Sequence, residues 1–153
     1  MKELKLTKGK YALVDDEDFE KLNNYSWHIL RNGYAMARIK GTNKKILLHR
    51  LILNAPNGRM IDHINHNVLD NRKENLRFCS VTENARNSKL CSKNTSGYKG
   101  VSWRANRNRW LAEIRIDGAL KRLGHFIDKK EAAVAYNLAA QKYFGEFAYL
   151  NYI

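Results

Sequence analysis

The stretch IDHINHNVLDNRKENLRFCSVTENARN, residues 61–87, holds two histidines and six asparagines within 27 residues. The informative pair is Asp62 and His63. Neighbours in a regular strand point to opposite sides, but at a strand end the chain can turn enough for both to serve one site. A carboxylate oxygen and an asparagine carbonyl oxygen are hard ligands suited to Mg2+, Mn2+ or Ca2+. Two such ligands leave the remaining coordination positions to water and phosphate oxygens, as phosphoryl-transfer chemistry requires. A histidine with an ordinary pKa of about 6.5 is neutral often enough near pH 7 to take a proton from water. Zinc is the rival chemistry, because His63, His66, Cys79 and Cys91 have the right atom types. The two cysteines stand twelve apart, without the paired spacing of a zinc knuckle.

The surrounding elements must bring these residues together. MIDHI reads as a strand end, NHNVLDNRKE as a polar loop, NLRFC as a second strand and SVTENARNSK as a helix start. Ser80 followed by Glu83 is a capping box that sets where the helix begins and puts Asn84 in its first turns. Strand, loop, strand and helix deliver one strand end and one helix face to a common point. Asn65, Asn67, Asp70 and Asn71 read as turn chemistry. His66 and Asn87 are expected at the surface, and His49 is expected to pack beside the motif. Upstream, residues 10–55 read as β-rich. KYALV is a strand, DDEDFEKL a short helix capped by Asp15 or Asp16, and Asn32-Gly33 the turn of a hairpin. KILLHRLILNA is a further apolar stretch closed at Pro56.

The partner is suggested by charge. With 28 Lys and Arg against 15 Asp and Glu, the 153-residue chain carries a net charge of +13, which suits a polyanion and fits few small metabolites. An anionic membrane would need a basic amphipathic helix, and the sequence offers none. No apolar run approaches a membrane span, the N-terminus is too polar for a signal peptide, and two cysteines are too few for a disulfide framework. A cytoplasmic protein that meets nucleic acid is expected.

DHINHNVLDNRKENLRFCSVTENARN, with its lead-in LHRLIL, resembles the HNH nuclease motif in the asparagine-rich form of phage and intron-encoded homing endonucleases. The resemblance covers about residues 47–88. It implies that His63 is the general base, that Asp62 and Asn84 are the metal ligands, and that Asn75 orients the catalytic imidazole. It further implies one divalent cation, Mg2+ ahead of Mn2+, and hydrolysis of a DNA phosphodiester by water attacking in line. A phage-encoded member would work in the bacterial host cytoplasm.

SKLCSKNTSG, residues 88–97, is small, polar and aperiodic and reads as a linker. Beyond it lie three strands, with turns at Ala105–Asn108 and Asp117-Gly118, and then a helix from Asp128 to Gly145. Alternation places Trp110, Ala112, Ile114 and Ile116 on the face that meets this helix, with Arg109, Leu111, Glu113 and Arg115 on the other. Lys99, Arg104, Arg107 and Arg122 make that second face basic, with forked donors fit for guanine edges and phosphates. GYKGVSWR, RWLAEIRIDG, LGHF, EAAVAYNLAA and AYLNY are similar to the DNA-binding domain of plant Apetala-2/ethylene-response factors. That family lays its sheet in the major groove. Arg107 and Arg122 stand where plant members carry tryptophans, so the plant target sequence does not transfer. An echo of SW and ARIKG at 26–41 in SW and EIRIDG at 102–118 suggests related sheets.

The expectation is an α+β protein. Residues 1–88 form a β-rich region leading into a ββα-metal nuclease, 89–96 a linker, and 97–153 a three-stranded antiparallel sheet packed on one helix. The chain is expected to nick double-stranded DNA as a monomer, with a dimer still open. A non-catalytic DNA-binding regulator and a nuclease directed at RNA are the alternatives.

Overall fold

The computed structural model describes residues 1–153. The architecture is α+β, with small antiparallel sheets and four α-helices. The chain divides into two compact units, Met1–Val81 and Thr82–Ile153. No helix is long and apolar enough to cross a membrane.

The first unit opens with β1 (Lys2–Lys5), which pairs antiparallel with β2 (Tyr11–Val14). Sequence alternation did not reveal β1, because only Leu4 of its four side chains is buried. Helix α1 (Asp16–Asn23) follows with Asp15 at its N-cap, yet the Asp15 carboxylate makes no cap bond. It accepts instead from the backbone N–H of Lys73, at 2.8 Å. The hairpin turns at Asn32-Gly33, as expected, between β3 (Trp27–Ile29) and β4 (Ala35–Arg38). The apolar stretch after it changes character midway, from β5 (Lys45–Leu47) to α2 (Leu48–Ile52). Leu4, Leu6, Ala12, Val14, Leu22, Trp27, Ala35, Ala37 and Leu48 form one core with Leu69 packed against it. The sheet of β3, β4 and β5, helix α2 and the 64–72 loop are thus built on a common hydrophobic base. The last pair is β6 (Met60–His63) and β7 (Leu76–Cys79), antiparallel, with Asp62 opposite Arg77 and His63 opposite Leu76.

Helix α3 (Val81–Arg86) starts directly after Ser80. In the second unit, the end of the polar 88–97 stretch is tied down. Asn94 Oδ1 accepts from the Gly97 N–H at 2.8 Å, and the Ser96 hydroxyl donates to the Tyr98 carbonyl at 2.9 Å. Strands β8 (Val101–Arg104), β9 (Arg109–Ile116) and β10 (Ala119–Phe126) form an antiparallel sheet with β9 central. Helix α4 (Lys129–Phe144) covers one face. Asp128 caps it by accepting from the Lys130 N–H at 2.9 Å, and Gly145 ends it. Ala132, Ala133 and Ala140 are fully buried, so the helix comes close to the sheet over small side chains. Gly100 is required at that contact. A Cβ there would lie 2.0 Å from the Tyr136 ring and 2.6 Å from the Glu113 carbonyl, at φ +74°. Asn151 closes the unit, exchanging bonds with Lys99 and Asn137. The two sheets that echo each other in sequence pack differently: Trp27 is buried, whereas Trp103 is 43% exposed.

Candidate nuclease centre and basic sheet face

The β6–β7 pairing places a guanidinium directly across from the candidate carboxylate. Arg77 donates to Asp62 Oδ2 from Nε at 3.1 Å and from Nη2 at 2.7 Å. Both side chains are buried, so each charge offsets the desolvation of the other. Sequence reasoning passed over Arg77; its position opposite Asp62 was latent in the strand register. A hard anionic oxygen at Asp62 suits a divalent cation, which would share that carboxylate with Arg77. Asn84 is an exposed residue of α3 and offers a neutral amide oxygen of the same hard class. As donor types, the two residues fit Mg2+ or Mn2+.

His63 is buried at the end of β6, in a cluster of rings. Its centroid lies 5.3 Å from that of His49, edge-on at 81°, and 5.8 Å from that of Tyr34. Tyr34 and His49 are 5.2 Å apart. His49 was expected to pack beside the motif, and it does. Burial pulls the His63 pKa below its ordinary value, against the opposing pull of Asn71, Asp62 and Asp70. His49 is pushed down to about 4, chiefly by burial and further by His63 and Arg50. Both imidazoles are therefore neutral near pH 7, the state in which His63 can accept a proton.

Asn75 is buried and spends both ends of its amide on backbone. Its Oδ1 accepts from the Asn65 N–H at 2.9 Å and its Nδ2 donates to the Asp70 carbonyl at 2.7 Å. Its own carbonyl accepts from the Ile64 N–H at 2.9 Å. It therefore fixes the two amides that follow His63, and its side chain reaches no ring. The amide oxygen that meets the imidazole belongs to Asn71, with Oδ1 3.4 Å from His63 Nε2. Asp70 and Asn71 were read as turn residues, yet they are only 2% and 1% exposed. The loop lies against β2: Leu13 N–H donates to the Leu69 carbonyl, and Asn71 N–H to the Leu13 carbonyl, each at 2.8 Å. Asn87, expected to be solvated, is buried one residue past α3, where its N–H closes the last turn on the Glu83 carbonyl.

In the second unit Arg104, Arg107 and Arg122 surround one depression of about 320 Å³ together with Asn106, Leu111 and His125. Leu111, expected on the outward face, is the one apolar residue among them and is only 3% exposed. Glu113 receives Arg104 Nη2 at 2.9 Å and lies 3.7 Å from Arg122 Nε. Arg109 and Arg115 share this face by alternation and bond the nearby carbonyls of Asn108 and Gly118. Lys99 is apart from them. Its ammonium donates to the carbonyls of Arg86 and Ser88 at 2.8 and 2.7 Å, and burial pushes its pKa down to about 8. Trp103 packs edge-on against Trp110, 5.1 Å between centroids.

Residues 47–86 match the family model described as HNH endonuclease. Over 152 residues the chain is 32% identical to an uncharacterised HNH endonuclease of Acanthamoeba polyphaga mimivirus, covering 95% of this chain and 77% of that protein. The chain belongs to the HNH endonucleases. A second relative is Protein 3.8 of Escherichia phage T7, 41% identical over 63 residues, which are 41% of this chain and 52% of that one. The third is Dehydration-responsive element-binding protein 2D of Arabidopsis thaliana, 48% identical over 56 residues, or 35% of this chain and 27% of that one. As an HNH endonuclease the protein is a nuclease with DNA as its substrate, of a family that uses a divalent metal.

Proposed function

We propose that the protein is a homing-type, sequence-directed endonuclease that nicks double-stranded DNA with His63 as general base and one Mg2+ ion. The observation that carries this reading is Asp62, a buried and charge-paired carboxylate, immediately before His63, a buried neutral imidazole, inside the segment of the family match. Asp62 would hold the ion, with Asn84 as second ligand by the resemblance to asparagine-rich HNH nucleases. When bound, the ion neutralises charge on the scissile phosphate and on the departing 3′ oxygen. His63 takes the proton of the attacking water, a role worth typically ~10²–10⁴ in rate. Arg77 keeps the Asp62 carboxylate in place, and Asn75 fixes the backbone just beyond the base.

Residues 97–153 act as an Apetala-2/ethylene-response-factor-like module that supplies address and affinity, with residues 89–96 as linker. Supporting this are the three-stranded sheet backed by α4, the basic outward face, and a relative named for binding an element, matched over about the length of the module. Arg104, Arg107, Arg109, Arg115 and Arg122 meet phosphates and base edges, whereas Lys99, also expected there from the sequence, is engaged by the carbonyls of Arg86 and Ser88 and stays out of that contact. One site per chain suits nicking by a monomer.

The test is conversion of supercoiled plasmid carrying cognate DNA to the open circle with Mg2+. Nicking that EDTA stops and His63→Ala reduces supports the reading. Wild-type protein that binds such DNA and never nicks it would make the chain a regulator on a nuclease fold.

A further inference from the structure

Asn71 stands between two fixed points. Its Nδ2 donates to the Val68 carbonyl at 3.2 Å. A carbonyl can only accept, so the amide cannot be reversed without losing that bond. The oxygen Oδ1 is thereby turned toward His63 Nε2, 3.4 Å away. The backbone on either side of Asp70 is pinned to Leu13 of β2 by two bonds of 2.8 Å, which sets the height of Asn71 in the unit.

An amide oxygen has no hydrogen to give, so the hydrogen of this contact belongs to His63 Nε2. A neutral imidazole carries one N–H, and its lone pair then sits on Nδ1. We propose that Asn71, held by β2, is a positioning residue that keeps His63 in the Nε2–H tautomer and makes Nδ1 the atom that receives the proton from water. This rests on His63 being the general base. The two asparagines divide the work, Asn75 on the backbone after His63 and Asn71 on its ring. The long distance is adequate, since a tenfold excess of one tautomer needs only ~1.4 kcal/mol.

The experiment is ring ¹⁵N NMR on the full-length protein labelled at histidine, at a pH where imidazole is neutral, with His63 signals identified by their loss in His63→Ala. Wild type is expected to show a protonated Nε2 and an unprotonated Nδ1, roughly tenfold over the alternative. Asn71→Asp, which keeps an acceptor oxygen, preserves the pattern. Asn71→Leu abolishes the preference and lowers kcat for nicking by roughly 10–100-fold, with KM little changed. Should Asn71→Leu fail to fold, wild type and Asn71→Asp still decide. A wild-type His63 protonated at Nδ1, or a folded Asn71→Leu that retains the Nε2–H form, overturns the proposal. Absence of nicking beside an Nε2–H wild type would remove the general-base role and leave the hold of Asn71 on the ring intact.

Discussion

Arg77 places two nitrogens on a single oxygen of Asp62, at 3.1 and 2.7 Å, across a pair of strands. Removing the cation strands a buried carboxylate. Arg77→Ala should therefore lower stability by ~3 kcal/mol or more. Replacing both partners, as Asp62→Asn with Arg77→Met, should restore much of that loss while leaving the protein unable to nick. Urea melts of the single and double variants, run beside the plasmid assay, would separate the two effects.

The ring cluster makes stability sensitive to acid. The His49 pKa is about 4 in the folded protein, against an ordinary 6.5. Between these values the unfolded chain binds a proton that the folded chain refuses, so stability falls as pH drops from about 6.5 to about 4 and levels below. His63, shifted in the same direction, adds to the slope. In His49→Phe the fall should be shallower, read from melting temperatures at pH 7, 6, 5 and 4 with EDTA present.

How much of this was legible beforehand depends on distance along the chain. The Asn32-Gly33 turn, the Asp128 cap and the Gly145 stop are decided by a few neighbouring residues, and each lies where the pattern put it. Asp62 and His63 stood out because adjacent residues of those types are visible without a fold. Asn71 did not, since its burial is conferred by Leu13, far upstream and silent as a side chain because backbone makes the contact. Asp15 misled for the same reason: a carboxylate before a helix reads as its cap, until Lys73 arrives from elsewhere in the fold. Leu111 sits in an alternating strand where the outward face promised solvent, yet it is buried in the depression it shares with Arg104, Arg107, Arg122 and His125.

On the basic face, Arg104 and Arg122 both lean on Glu113. If each neutralises one phosphate, Arg104→Ala and Arg122→Ala should weaken binding of duplex DNA and each lower the salt slope of the logarithm of affinity by about 1. Lys99→Ala should leave that slope nearly unchanged, because its ammonium is engaged by the Arg86 and Ser88 carbonyls. Affinity titrations across a range of KCl concentrations would distinguish the three.

Gly100→Ala tests the helix–sheet contact of the second unit. The added methyl group meets the Tyr136 ring and the Glu113 carbonyl, in a backbone conformation that side chains disfavour. A loss of ~2 kcal/mol or more is expected, with hydrogen exchange accelerating in α4 and β9 ahead of β6 and β7.

The bonds between Leu13 and the 69–71 loop also bear on transplantation. The 40 residues from 47 to 86 carry the family's recognisable pattern, yet Leu48 and Leu69 rest on a core supplied mostly by residues 4–37. Grafted onto another scaffold, that segment would arrive without its foundation, its asparagine loop unmoored. A graft that keeps this foundation has to carry the whole of Met1–Val81.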